Sequence, residues 1–230
     1  MNRPSRGEVI MYELPLFPLK TVLFPGTPIS LHIFEPRYKL MIEQCLQTGD
    51  PFGVVLIRDG AEASGPLADP YSIGTTAQIA HVERLDNGHM NIIAIGVERF
   101  EIQDVDRDRK PYLVGTVETR PLDQQAETQT LAYAGQRLRP WVERYIKVLS
   151  SVTENGDFDS AQLPDEPTAL AYLAAALLQI PADQKQNLLA MNQANDLLTD
   201  IRTIYRREVA LLNAIIERES AQIQGLFSLN

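Results

Sequence analysis

The sequence predicts an α+β protein. Its first half should be a set of short strands with one inserted helix, closing as a small barrel or highly curled sheet. Its second half should be an α-helical bundle with a long last helix. Three observations carry this. Short apolar runs up to Glu118 are separated by proline, glycine and asparagine turns, several of them alternating at period two. From Gln124 onward glycine becomes scarce, and alanine, leucine, glutamine and glutamate dominate, as helices prefer. Near the C-terminus Leu197, Leu198, Ile201, Ile204, Tyr205, Val209, Leu212, Ile215 and Ile216 fall on one helical face. The change of character near Leu122 divides the chain into a β subdomain, 1–122, and a helical subdomain, 123–230.

Residues 1–10 read as a polar lead-in without the apolar core of a signal peptide. In the stretch that follows, Pro15, Pro18, Pro25 and Pro28 each remove a backbone donor, so the pieces between them suit barrel-edge strands and tight corners. Pro25-Gly26 has the pattern of a type II turn, proline setting its second residue and glycine taking positive φ at its third. After it Ile29, Leu31 and Ile33 alternate with Ser30, His32 and Phe34, a strand with one buried face. Pro36 suits the first position of a helix, and Tyr38, Met41, Ile42, Cys45 and Leu46 make its apolar stripe until Thr48-Gly49-Asp50-Pro51 stops it.

Residues 52–57 form a β-branched strand, and Arg58 to Gly74 reads as a long loop. Thr75 to Arg84 and Met90 to Gly96 flank Asn87-Gly88, a strong hairpin signal. Val97 to Ile102 and Tyr112 to Glu118 alternate around a charged turn. A helix is expected from about Gln125 to Leu149, kinked or divided by Pro140. Ser150 to Glu166 is a polar loop, Pro167 opens a second helix that Pro181 ends, and a shorter helix precedes the last one.

The elements Leu-Pro-Leu-Phe-Pro (14–18), Phe-Pro-Gly (24–26) and Phe-Glu-Pro-Arg-Tyr (34–38) agree in order and spacing with the opening of the Lon N-terminal (substrate-binding) domain family, which the chain closely resembles. The later strands, and more weakly the helical pattern from Ala169 to Glu208, resemble it too, so the likeness runs from about Tyr12 to Glu219. The resemblance implies that the β subdomain is a PUA-like barrel. It also implies recognition of exposed apolar segments in unfolded or damaged proteins. Lon proteases add an ATPase and a serine-lysine protease module, and neither pattern is present here, so the expectation is a stand-alone, non-catalytic member.

Composition is ordinary for a soluble globular protein. A net charge of −9 argues against broad nucleic-acid binding, and residues 1–122 hold 12 Lys and Arg against 16 Asp and Glu. The single cysteine, Cys45, excludes an internal disulfide and lies on a helical apolar stripe, where a buried small side chain is expected. The longest apolar run, Ala169 to Leu178, is about half of a membrane span, so a cytoplasmic, non-membrane protein is expected.

No catalytic, metal or cofactor constellation emerges. Gly60 to Gly65 has phosphate-loop glycine spacing, but Pro66 and Leu67 stand where lysine and serine or threonine are required. Asn155, Asp157 and Asp159 echo a calcium loop without its central glycine. His32, His81 and His89 lack metal-ligand spacing, and Trp141 with Tyr145 at helical spacing should pack the bundle or cover the barrel.

Function should therefore reside in surfaces. One is the groove expected where the two halves meet. The other is a rim of Phe34, Glu35, Arg37 and Tyr38 beside the loop carrying Leu67 and Tyr71, with the competing reading that Phe34, Arg37 and Tyr38 lock strand to helix. The partner expected is an unfolded polypeptide or a protease. The alternatives that stay open are RNA binding, known for PUA-like barrels in other families, and a small ligand in a barrel pocket. The last helix could equally pair with a copy of itself, giving a homodimer, or pack within the bundle.

Overall fold

The structure is a computed structural model of the chain, and it describes residues 11–60, 67–123, 128–152 and 163–227, with side chains up to Ile216 and at Arg218 in the last segment. The sequence-expected lead-in 1–10, the start of the first long helix, most of the glycine run at 60–65 and the calcium-like loop at 155–159 lie outside the described residues.

Six strands, β1 (Met11–Leu19), β2 (Pro28–Ile33), β3 (Phe52–Asp59), β4 (Asp69–Arg84), β5 (Met90–Asp106) and β6 (Val114–Thr119), are followed by α2 (Thr128–Val152), α3 (Pro167–Leu177), α4 (Ala182–Ala190) and α5 (Ala194–Phe227), with α1 (Pro36–Thr48) inserted after β2. The chain divides into two compact units. One is Met1–Asp123 with Ala175–Asn192; the other is Gln124–Ala174 with Gln193–Asn230. The end of α3 and all of α4 thus group with the strands.

The sheet order is β2-β5-β4-β3-β1-β6, and β6 also pairs with β5. The sheet therefore curls back on itself, but it is not a closed barrel along its length. Phe100 to Asp106 of β5 takes β6, whereas Met90 to Ile95 takes β2, whose other edge has no strand partner among the described residues.

The prolines of β1 are accommodated differently from the expected short edge pieces. β1 is one nine-residue strand containing Pro15 and Pro18. Its halves take partners on different sides: Met11 to Pro15 runs antiparallel to β6, and Leu16 to Leu19 runs parallel to β3. Each half is thus bonded along one edge, which is where missing donors do least harm.

The turn at Phe24 to Thr27 forms as expected: Thr27 N donates to the Phe24 carbonyl at 3.2 Å, and Gly26 has φ 76°. The Asn87-Gly88 hairpin also forms, closed by Leu85 N to the His89 carbonyl at 2.9 Å. The expected long loop is shorter, because β4 already begins at Asp69 and Tyr71 lies on a strand. From Ile73 to Ala77 β4 is buried on both faces, so no alternation marks it in the sequence. Likewise 90–96 and 97–102 are one continuous strand.

Among the described residues two core clusters pack this unit. The larger packs α1, through Tyr38, Met41, Ile42 and Cys45, on Phe17, Phe52, Ile92 and Ala94. The smaller gathers Leu14, Leu16, Val55, Phe100, Leu113 and Val117. Helix α4 is tied to the strands by buried polar groups. Gln186 Nε2 donates to the Ile73 carbonyl at 2.9 Å, and Arg99 Nη1 donates to the Leu189 carbonyl at 2.6 Å and to the Met191 carbonyl.

In the other unit α2 packs on α5, and α2 runs through Pro140 without dividing. Tyr145 and Tyr205 are buried edge to face, ring centres 5.0 Å apart, and the Tyr205 hydroxyl donates to the Ala174 carbonyl at 2.9 Å. Trp141, one turn before Tyr145 on α2, is only half-buried. Of the α5 stripe, Leu197, Leu198, Ile201, Tyr205 and Val209 are buried, but Ile204 is only half-buried and Ile215 is 53% exposed.

Candidate functional site

The free edge of β2 is the most distinctive surface of the strand-rich unit. Gly96 N donates to the Thr27 carbonyl at 2.9 Å, opposite the first β2–β5 pair. In an antiparallel pair the residues bonded to the neighbour alternate. Ile29, Leu31 and Ile33 therefore direct their backbone groups to β5, and Ser30 and His32 direct theirs to the open edge. Ser30 and His32 are both exposed.

Beside this edge lies a groove of about 250 Å³, lined by Phe17 and Leu19 from β1, Ser30 to Ile33 from β2, and Phe34, Glu35 and Tyr38 at the start of α1. Its floor is apolar: Phe17 and Leu19 are 6% and 4% exposed and belong to the larger core. Its rim carries Phe34, 45% exposed, an aromatic side chain left out of the core.

The corner between β2 and α1 is rigid for reasons visible residue by residue. Glu35 stands in extended backbone at the helix N-cap, and Pro36 opens the helix. Arg37 pairs with the Glu35 carboxylate at 2.9 Å and lies 4.7 Å from the centre of the Tyr38 ring. Tyr38 in turn stacks on Phe17, centroids 4.1 Å apart and planes 11° from parallel. Glu35, Arg37 and Tyr38 thus brace strand to helix, while Phe34 is left exposed.

A polar ladder crosses the exposed face of the same edge. Asn91 Nδ2 donates to Glu83 at 2.8 Å, which turns its Oδ1 toward His32, and His32 Nδ1 donates to that oxygen at 2.8 Å. Glu83, Asn91 and His32 are register partners on three neighbouring strands. The remaining His32 nitrogen, Nε2, lies 3.2 Å from His89 Nδ1. Partial desolvation, then the Lys39 charge and His32, push the His89 pKa down. Two histidines 57 residues apart in sequence are thus joined, a pairing no local spacing reveals. Among the described residues no group of three or more His, Cys, Asp or Glu could hold a metal ion.

Leu67 and Tyr71 do not line this groove. Leu67 packs on the smaller core cluster, and its carbonyl accepts from Arg107 at 3.3 Å; Tyr71 is half-buried on β4. A second depression of about 270 Å³ between β1, α1 and β6 includes Cys45, Tyr112, Arg109 and Lys110. Cys45 is buried, and burial, followed by the Asp50 charge, pushes its thiol up to about 11, which disfavours the thiolate at neutral pH.

Residues 13–207 match the family described as the ATP-dependent protease La (LON) substrate-binding domain. The Lon protease of Anaeromyxobacter dehalogenans is 27% identical over 187 residues, covering 79% of this chain and 22% of the relative. The chain therefore spans about a fifth of that relative's length. Among solved structures, a Lon N-terminal domain protein from Xanthomonas campestris superposes with a TM-score of 0.59 at 30% identity, covering 83% of this chain and 96% of that one. The N-terminal domain of the Mycobacterium avium complex Lon protease gives 0.61 at 17% identity, covering 85% and 98%, a likeness of fold. No described helix is long and apolar enough to cross a membrane.

Proposed function

Since this chain belongs to the Lon substrate-binding domain family, a substrate-binding role is its starting point, and we propose that it holds extended apolar segments of unfolded proteins along the free edge of β2. The observation that carries the reading is the coincidence of an unpaired strand edge with an apolar groove and an exposed Phe34 beside it. An added strand would bond to the outward backbone groups of Ser30 and His32, with alternate side chains entering the groove over Phe17 and Leu19. Backbone bonding accepts any sequence, and the groove selects apolar residues, the combination that capture of varied unfolded chains requires. Such a site performs no chemistry. The corresponding role in a larger assembly is to present the held segment to an ATP-dependent protease as an adaptor.

Ser30→Pro tests this directly. It removes an outward N–H while leaving the β2–β5 bonds in place, so the fold should persist and peptide binding should not. Loss of one backbone bond costs about 0.5–1.5 kcal/mol, and the proline ring also blocks close approach, so affinity for an extended apolar peptide should fall about tenfold. Phe34→Ser should lower it independently. Unchanged affinity of Ser30→Pro for both the peptide and a denatured model protein would overturn strand addition at this edge.

A further inference from the structure

A second surface, in the other unit and independent of the β2 edge, has a different chemistry. Residues of α2 and α5 enclose a groove of about 440 Å³ around Trp141, Arg144, Arg206, Arg207, Val209 and Ala210. The Arg144 and Arg206 guanidinium carbons lie 5.4 Å and 5.7 Å from the centre of the Trp141 ring. Their spacing explains the assembly: Trp141 and Arg144 are three apart on α2, and Arg206 and Ala210 four apart on α5, so each pair shares a helical face. The facing helices bring the pairs together, with buried Val209 beneath.

This concentration of cations stands in a half of the chain where acids outnumber bases, 14 to 9 over residues 123–230. Among the described residues Arg207 pairs with its neighbour Glu208 at 3.0 Å, whereas Arg144 and Arg206 form no ion pair, and both are exposed. Held over an indole, a guanidinium keeps its fork of N–H donors free while its orientation is restricted, which suits it to two-point bonding of a carboxylate. The ring edge with Val209 and Ala210 offers an apolar floor between the two forks.

We propose that this groove is a docking site for an acidic polypeptide segment of a partner protein, one carrying an apolar side chain between carboxylates. The carboxylates would bond to Arg144 and Arg206, and the apolar side chain would rest on the floor formed by the Trp141 ring edge, Val209 and Ala210. Charge complementarity selects this occupant. A nucleic acid needs a succession of cations along its backbone, and a stacking base would have to displace the guanidinium groups already over the ring.

Trp141 is the only tryptophan, so its fluorescence reports on this groove alone. The full chain would be titrated with a short Asp- and Glu-rich peptide holding a central leucine, with the same peptide carrying lysines instead, and with a single-stranded oligonucleotide. The acidic peptide is expected to change the emission saturably, with affinity falling as salt rises. Arg206→Glu should weaken it about tenfold or more, with Arg206→Gln as the milder variant and circular dichroism as the check of fold. Arg144→Lys, which keeps the charge but loses the fork, should weaken it less. An emission unchanged by the acidic peptide, an equal response to the lysine peptide, or undiminished binding by Arg206→Glu and Arg206→Gln would overturn the proposal. So would tighter binding of the oligonucleotide, which would make this a nucleic-acid site, or self-association of the chain that occupies the groove.

Discussion

Replacing Arg99 by methionine would test how the strands hold α4. Arg99 is 2% exposed and reaches from β5 to the carbonyls of Leu189 and Met191, at and just beyond the C-terminus of α4. Carbonyls at a helix C-terminus lack intrahelical partners, and a cation there also opposes the negative end of the helix dipole. Methionine keeps much of the apolar stem's packing but neither bond. Hydrogen bonds to charged groups contribute about 1.5–3 kcal/mol each, so two place the loss near 3–6 kcal/mol. The variant no longer buries a guanidinium, which pulls the net cost to the lower end, about 3 kcal/mol. Gln186 still bonds to the Ile73 carbonyl, so α4 should loosen while the sheet stays paired. Amide exchange followed by mass spectrometry is the assay. Exchange over 182–191 should accelerate about a hundredfold, with Phe100 and Val117 unchanged. Exchange over 182–191 within a factor of about three of the parent would refute the clamp, and acceleration shared equally by the core strands would refute its local action.

Three further outcomes follow from individual contacts. A Cβ on Gly96 would stand 2.3 Å from the Phe24 carbonyl oxygen, a backbone atom with little room to move, so Gly96→Ala should cost about 2–3 kcal/mol. A melting temperature about 5–10 °C lower would register that, and a shift under about 2 °C would contradict it. The Asp106 carboxyl accepts N–H bonds from Asp108 and Arg109 and pairs with the Arg109 side chain, which hold its pKa at about 2. Because the folded state favours the ionised form, its support of the β5–β6 turn is present above the ordinary carboxylate range and fades as pH falls toward about 2; an NMR titration midpoint near 4 would disprove the turn's hold on it. Cys45, buried with its thiol pushed up to about 11, should react with a thiol reagent at neutral pH far more slowly in the folded chain than in urea, and equal rates would show that the helix does not shield it.

Much of the candidate site was legible in the sequence. The alternation of Ile29, Leu31 and Ile33 marked β2, Pro36 marked the start of α1, and Phe34 to Tyr38 marked the corner, because each is a local propensity that survives into the fold. Leu67 and Tyr71, expected beside that corner, do not line its groove. Leu67 precedes β4, and the first β4 residues, Asp69 to Ser72, carry aspartate, proline and serine, which read as loop until the strand partner is known. The His32–His89 contact and the arginines over Trp141 left no local signature, since each joins residues from separate elements.

By itself the sequence determined the division into strands and then helices, the turns at Gly26 and Asn87-Gly88 and the apolar stripe that buries Cys45, because these rest on backbone propensity and on periodicity over a few residues, while the motifs at 14–18, 24–26 and 34–38 carried the resemblance to the family. Tertiary structure alone decided which strand edge stays open, that β1 divides its partners at Pro15, that α4 groups with the strands through Arg99 and Gln186, and that Trp141 lies under two guanidinium groups. These are pairings between residues far apart in the chain. They depend on which surfaces meet once the loops close, a choice made by the summed packing of the whole molecule and carried by no single stretch of it.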